Sequence, residues 1–262
     1  RLDEPQKTKQ KINPSRGMAL ILDDVGYDLE ALKRALKLPY PVAISVIPNA
    51  PYAIRAAEMA HASGHVVMLH LPMEPSNPKY SHQMDDAFLR VGMSRDDVRR
   101  IMLADLVRIP YVVGVNNHMG SRLTTLATPM RWVMNVCRER GLFFVDSRTS
   151  KDSIAAELAK EAGLTWGKRR VFLDDSLRAE DLEASWLKAK HLASRHVPVI
   201  VIAHPHDATL DFLETRVSAS DTHRILPLKR LLFAGQTVHF VANESLNVRP
   251  AVGRIHAENN AN

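Results

Sequence analysis

Short apolar runs alternate along this chain with segments whose apolar positions recur at three- and four-residue spacing. MALIL (18–22) precedes YDLEALKRALKL, PVAISVIP precedes PYAIRAAEMAHASG, and HVVMLHL precedes SRDDVRRIMLADLVRIP. The alternation continues through YVVGVNN and TPMRWVMNVCRERG, LFFVD and KDSIAAELAKEAG, and RRVFLD and AEDLEASWLKAKHLASRH. VPVIVIA and QTVHFV close the series. The runs are continuously apolar, as in strands buried on both faces. The segments between them carry helix signals. Ser94 stands as a cap before Asp96 and Asp97, Thr128 as a second cap, and Gly64 and Gly141 as stops.

Strands alternating with helices predict right-handed βαβ units and a parallel sheet. About seven or eight such units predict a distorted (β/α) barrel of mostly parallel strands. No linker interrupts the middle, so the barrel is expected to be one domain over 17–242. Residues 1–16, polar and holding Pro5 and Pro14, predict a flexible lead-in, and the aperiodic residues 243–262 a loose tail.

Composition narrows the class without choosing a function. The 262 residues are 45% hydrophobic and 24% charged, an ordinary globular balance. The formal charge of +6 is dispersed, with no basic motif or aromatic platform beside it, which argues against a nucleic-acid partner. One cysteine, Cys137, excludes an internal disulfide and an all-cysteine metal site. It falls on the predicted inner face of a helix, where a small buried apolar residue is expected. No apolar run is long enough to span a membrane.

The chemistry lies at the ends of the strands. The first runs into Asp23 and Asp24, the third into His70, the fourth into Asn116, Asn117 and His118, and the fifth into Asp146. The sixth reaches Asp174 and Asp175, and the seventh His204 and His206. In a parallel α/β fold these ends share one rim, the usual place for a site. Each residue taken alone has an ordinary explanation. Asp23 or Asp24 and Asp175 read as helix caps, and Asp146 as an Asx turn. Histidine or aspartate on six strand ends exceeds what capping requires, because serine, threonine or asparagine caps as well. Converging His and Asp from several strands supply the N and O donors of a divalent metal site. Arg122 and Arg148 add positive charge at the same rim.

LILDDVGY, HLPMEP, GVNNHMGSRLT, FFVDSRTS, RRVFLDD and VIVIAHPHDAT, in this order, resemble the divergent polysaccharide deacetylases, relatives of the NodB-like carbohydrate esterases. The resemblance runs from about Gly17 to Val241. It implies a distorted barrel and a divalent metal, usually zinc. The implied reaction is hydrolytic removal of acetyl groups from a polysaccharide or peptidoglycan-type amino sugar, with a metal-activated water as nucleophile. Carried over by motif, Asp23 is the general base, Asp24 a metal ligand and His204 the general acid. The family's second motif has two histidines separated by three residues. Here His70 fills the first position and Glu74 the second. Either Glu74 serves as an oxygen ligand or His118 supplies the missing imidazole, and Asp24, His70 and His118 are the preferred set. Asn117, Asp146, Arg148 and Asp174 are further candidates. Because polysaccharide substrates lie outside the cytoplasm, the resemblance also implies a periplasmic or otherwise exported protein. The Glu74 departure keeps a second reading open, a glycan-binding envelope protein on a retired enzyme scaffold. A phosphoester hydrolase is disfavoured, since no glycine-rich phosphate cradle is apparent.

Overall fold

The computed structural model describes residues 15–235. Seven strands form a closed barrel: β1 (Gly17–Val25), β2 (Val42–Val46), β3 (Val66–Met73), β4 (Val112–Met119), β5 (Phe143–Asp146), β6 (Trp166–Phe172) and β7 (Pro198–Ala203). They pair in chain order, every pair is parallel, and β1 closes the ring against β7 with Met18 opposite Val199. The expected alternation is present. Helices α1 (Leu29–Leu36), α2 (Ala53–Ala62), α3 (Arg95–Arg108), α4 (Ala127–Glu139), α5 (Ala155–Glu161) and α6 (Ala179–Ser194) connect the strands, and α7 (Asp207–Thr215) and the short α8 (Ala219–Thr222) follow β7. The run QTVHFV, residues 1–14 of the lead-in and the C-terminal tail lie outside the described residues; of the lead-in, Ser15 and Arg16 are described, and Ser15 N donates to Arg230 O at 2.7 Å.

Side-chain alternation divides the apolar residues into two sets. Leu20, Leu22, Ile44, Leu69, Val115, Phe144 and Val201 face outward and pack with helix residues such as Leu32, Ala57, Met102, Val133 and Trp186. Ala19, Ile21, Met68, Phe143, Val145, Ile200 and Ile202 form a separate inner cluster with Leu228, Leu231 and Leu232 from the segment after α8. Those three leucines plug the barrel at the end opposite the strand C-termini. Most strands are thus covered on both faces, the physical reason for their continuous apolar runs, whereas β6 leaves Arg170 exposed. Cys137 is fully buried on α4, and burial pushes its thiol up to about 12, so it serves as packing.

Local signals were met unevenly. Ser94 caps α3 in a reciprocal capping box with Asp97. Thr128 caps nothing, because α4 begins at Ala127, with Leu126 in the cap position two residues before Thr128. Neither Asp23 nor Asp24 caps α1; Asp28 does, accepting from the amides of Glu30 and Ala31 at 2.8 and 3.1 Å. Asp175 does not cap α6, whose first turn follows Arg178 without a side-chain cap.

Candidate active site at the barrel rim

The inner side chains become polar toward the strand C-termini. Along β1 the inward series Ala19, Ile21 continues to Asp23, and on β3 Met68 leads to His70. Ser45, Asn116 and Ser147 complete the layer and are all buried. Strict alternation would turn Asp24 away from this layer. It does not, because the β1–β2 register shifts between Leu22 and Val25 and Asp24 adopts φ of 55°. This bulge brings both acids to one site. Gly26, at φ of 124°, follows immediately, and a Cβ there would stand 2.6 Å from that of Ala50. Only glycine permits the chain to leave the rim so closely.

Three donors from three strands converge on one point. Asp24 Oδ1 is 2.8 Å from His118 Nδ1 and 3.2 Å from His70 Nε2. That oxygen is buried, yet no hydrogen bond of acceptable geometry reaches it. Buried polar atoms are nearly always satisfied, and an orphan facing two imidazole nitrogens fits the arrangement of ligands around a cation. Asn116 determines how His70 takes part. Its amide nitrogen donates to both oxygens of Asp23, at 2.8 and 3.1 Å. Its amide oxygen must therefore accept from Ser45 Oγ and from His70 Nδ1, the latter at 3.0 Å. With a proton held on Nδ1, Nε2 is the ring nitrogen left to meet a cation beside Asp24. One buried amide thus orients the ring and fixes its tautomer, as outer-shell partners of metal-bound histidines do.

The remaining groups differ in electrostatics. Burial raises the Asp23 carboxyl above the usual range, against the opposing pull of His70, His204 and Asn116. Burial also works on Asp24, but His118 and His70 outweigh it and hold that carboxyl far below its ordinary value. His204 stands across the cavity with Nε2 3.8 Å from Asp24 Oδ2. Its Nδ1 donates to Asp174 Oδ1 at 3.0 Å, and Asp174 Oδ2 accepts from the His204 amide and Thr209 Oγ1 at 2.7 and 2.8 Å. Burial lowers the imidazolium, yet Asp174 prevails and pushes it up to about 9. Asp174, a buried carboxylate with three donors, is the orienter of His204.

These groups open onto a cavity of about 500 Å³ whose lining includes Asp23, Asp24, His70, His118, Arg169 and His204. Asn117 also borders it, but its amide is engaged by Ser147 N at 2.9 Å and Met119 O at 2.8 Å. Three sequence candidates stand apart from the donor cluster. Glu74 accepts from the Val91 amide at 2.7 Å and pairs with Arg122 at 2.7 Å, so both its oxygens are occupied. Asp146 forms the Asx turn, accepting from the Arg148 amide at 2.8 Å, and holds Ser153 at 2.8 Å before α5. Arg148 reaches Lys151 O at 3.0 Å. His206 is exposed beside Asp174 and His204, with which it forms a second group of donors.

Ser45, Ser147 and Arg169 escaped the sequence reading of the site. Their signal was weak but present: each is a polar residue inside or at the end of an apolar run, at the parity that faces inward.

Residues 20–232 match the family model described as divergent polysaccharide deacetylase. The chain is 37% identical over 200 residues to YibQ, an uncharacterized protein of Escherichia coli (strain K12), a match covering 76% of this chain and 62% of that relative. The chain therefore spans less than two thirds of that relative's length. It is 35% identical over 198 residues to an uncharacterized protein of Haemophilus influenzae (strain ATCC 51907 / DSM 11121 / KW20 / Rd), covering 75% and 69%. The fold is similar to the crystal structure of protein ATU2773 from Agrobacterium tumefaciens C58, with a TM-score of 0.76 and 20% identity over 84% of this chain and 90% of that one.

Proposed function

This chain belongs to the divergent polysaccharide deacetylases, and from that premise we propose that it is a metal-dependent hydrolase removing acetyl groups from amino sugars of a polysaccharide or peptidoglycan. The observation that carries the reading is the orphaned Asp24 Oδ1 between His70 and His118. Two imidazoles and one carboxylate from rigid strands form the donor set of a hydrolytic zinc site with a position left open. Asp24, His70 and His118 are the proposed ligands, and His118 stands in for the histidine that Glu74 replaces. A divalent ion held there supplies Lewis-acid chemistry, polarising a carbonyl and lowering the pKa of water.

The chain's own groups account for the proton movements. Asp23, oriented by Asn116 and made more basic by burial, takes a proton from the attacking water. His204, charged at neutral pH through Asp174, delivers a proton from Nε2 to the departing amine. The products are acetate and a free amino sugar. Exposed tyrosines support a glycan at this rim. Tyr27, Tyr52 and Tyr80 follow β1, β2 and β3 and are 59%, 49% and 42% exposed, and their rings offer apolar faces with a polar edge. Such a substrate places the protein in the periplasm or otherwise outside the cytoplasm.

The decisive experiment is acetate release from N-acetylated chito-oligosaccharides and peptidoglycan by zinc-loaded protein, with Asp23→Asn as control. Release abolished by that substitution is expected. The second reading, a glycan-binding protein without turnover, draws on Glu74, whose carboxylate is locked to Arg122 and Val91. Glycan binding with no acetate released from any substrate would establish it and sink the deacetylase.

A further inference from the structure

Among the described residues, Arg169 is the one basic side chain on the cavity wall that is neither a proposed ligand nor a proton donor in the scheme above. Its direction follows from the strand. Gly167 pairs with Val145 of the inner cluster, and a Cβ on it would meet Ile200 and Leu232 of that cluster at 2.6 and 2.9 Å. Arg169, two residues on, points the same way and pairs with Ile200. The β6–β7 register then shifts between Arg169 and Val171, leaving Arg170 as an extra residue. The bulge turns Phe172 inward as well, although 169 and 172 have opposite parity. The Arg169 guanidinium consequently lies over the Phe172 ring, 4.8 Å from its centroid.

The guanidinium is fixed in plane and only partly used. Nε donates to Ser147 O, and Nη2 donates to Arg148 O at 2.6 Å. Both acceptors are neutral carbonyls on one side of the fork. Among the described residues Arg169 makes no salt bridge; Asp146, Asp23 and Asp175 act on it only from a distance. The end of the fork, Nη1 with the second N–H of Nη2, is left without a partner beside the cavity. A half-buried guanidinium with neutral partners and an open two-donor edge is the geometry that takes a carboxylate bidentately.

We propose that Arg169 is a specificity-determining residue that binds a carboxylate carried by the glycan close to the acetylated sugar. This assignment rests on the glycan reading of the site and narrows it from acetylated glycans to acidic ones. Two substituents bring that chemistry, a uronate or a lactyl ether with its carboxylate free. A neutral chain of N-acetylated sugars offers the fork only hydroxyl and amide oxygens, which form weaker hydrogen bonds.

Binding is read separately from turnover. Protein carrying Asp23→Asn is titrated calorimetrically with three N-acetylated oligosaccharides of matched length. One is a neutral chito-oligosaccharide, one alternates with uronate, and one is a peptide-free peptidoglycan strand with lactyl carboxylates. At least one acidic ligand is expected to bind about tenfold more tightly than the neutral one. The uronate and lactyl arms identify the source of the carboxylate. Adding Arg169→Gln is expected to bring the acidic-to-neutral ratio to about one. Where the glutamine variant does not fold, Arg169→Lys keeps the charge without the fork, and the ratio falls below that of the arginine protein. Equal affinity for neutral and both acidic ligands overturns the proposal, as does a ratio undiminished by either substitution. Absent acetate release with the ratio intact sinks the deacetylase chemistry alone and leaves the Arg169 assignment standing.

Discussion

Asn116 is the residue on which the donor cluster turns. It never contacts the proposed ion position, yet it orients Asp23 and fixes the proton of His70. Asn116→Ala is expected to weaken zinc affinity by about 10- to 100-fold, the usual effect of removing an outer-shell partner. Competition against a chromophoric chelator measures it, with circular dichroism confirming the fold. Wild-type affinity in a folded variant would show that His70 needs no such support. Asp105 makes the opposite case, a buried acid with no chemistry. Its Oδ2 finds no hydrogen bond, and burial, reinforced by Asp85 and Asp86 against the weaker pull of Arg108, pushes its carboxyl up to about 7. The folded state therefore binds a proton that the unfolded chain has lost, and stability falls as pH rises from the unfolded value near 3.8 through about 7. Asp105→Asn removes that slope. Its melting temperature should match wild type near pH 4 and exceed it at pH 8, by the equivalent of about 1–3 kcal/mol. Parallel curves across that range would refute the assignment. The acids and histidines of the site were legible in the sequence because charged residues interrupt apolar runs. Ser45, Ser147 and Arg169 were not, because their meaning depends on which parity faces inward, and a continuously apolar strand does not reveal parity.

At the scale of elements, two bulges separate what the sequence foretells from what the fold adds. Period-two alternation sends Asp23 and Asp24 to opposite faces, and Arg169 and Phe172 likewise. The shifts in β1 and β6 bring each pair to the same side. Strand order and helix alternation were legible from patterning, whereas bulges arise from tertiary pairing and leave no local mark. Caps show the same limit. Ser94 and Thr128 look alike in sequence, but only Ser94 accepts a bond from an amide at a helix start. Ser94→Ala should cost about 1 kcal/mol in urea unfolding, and Thr128→Ala no more than about 0.5. Equal losses would contradict the observed start of α4.

For the molecule as a whole, the metal reading makes stability depend on the ion. At free zinc of about 100 times Kd, binding adds about 2.7 kcal/mol. For a domain of this size that raises Tm by roughly 5–10 °C. Zinc should raise the melting temperature of the wild type and leave Asp24→Ala, His70→Ala and His118→Ala unmoved, each having lost stoichiometric metal. A shift retained by all three variants would move the ion elsewhere. The barrel's closure also bears on when such a site comes into being. β1 carries Asp23 and Asp24, β7 leads into His204, and these strands are neighbours although about 180 residues separate them along the chain. A growing chain acquires these acids long before their partner at the end of β7. On the hydrolase reading proposed above, chemistry waits for that closure, and an unfolded polypeptide carries the pieces of the centre without its reactivity.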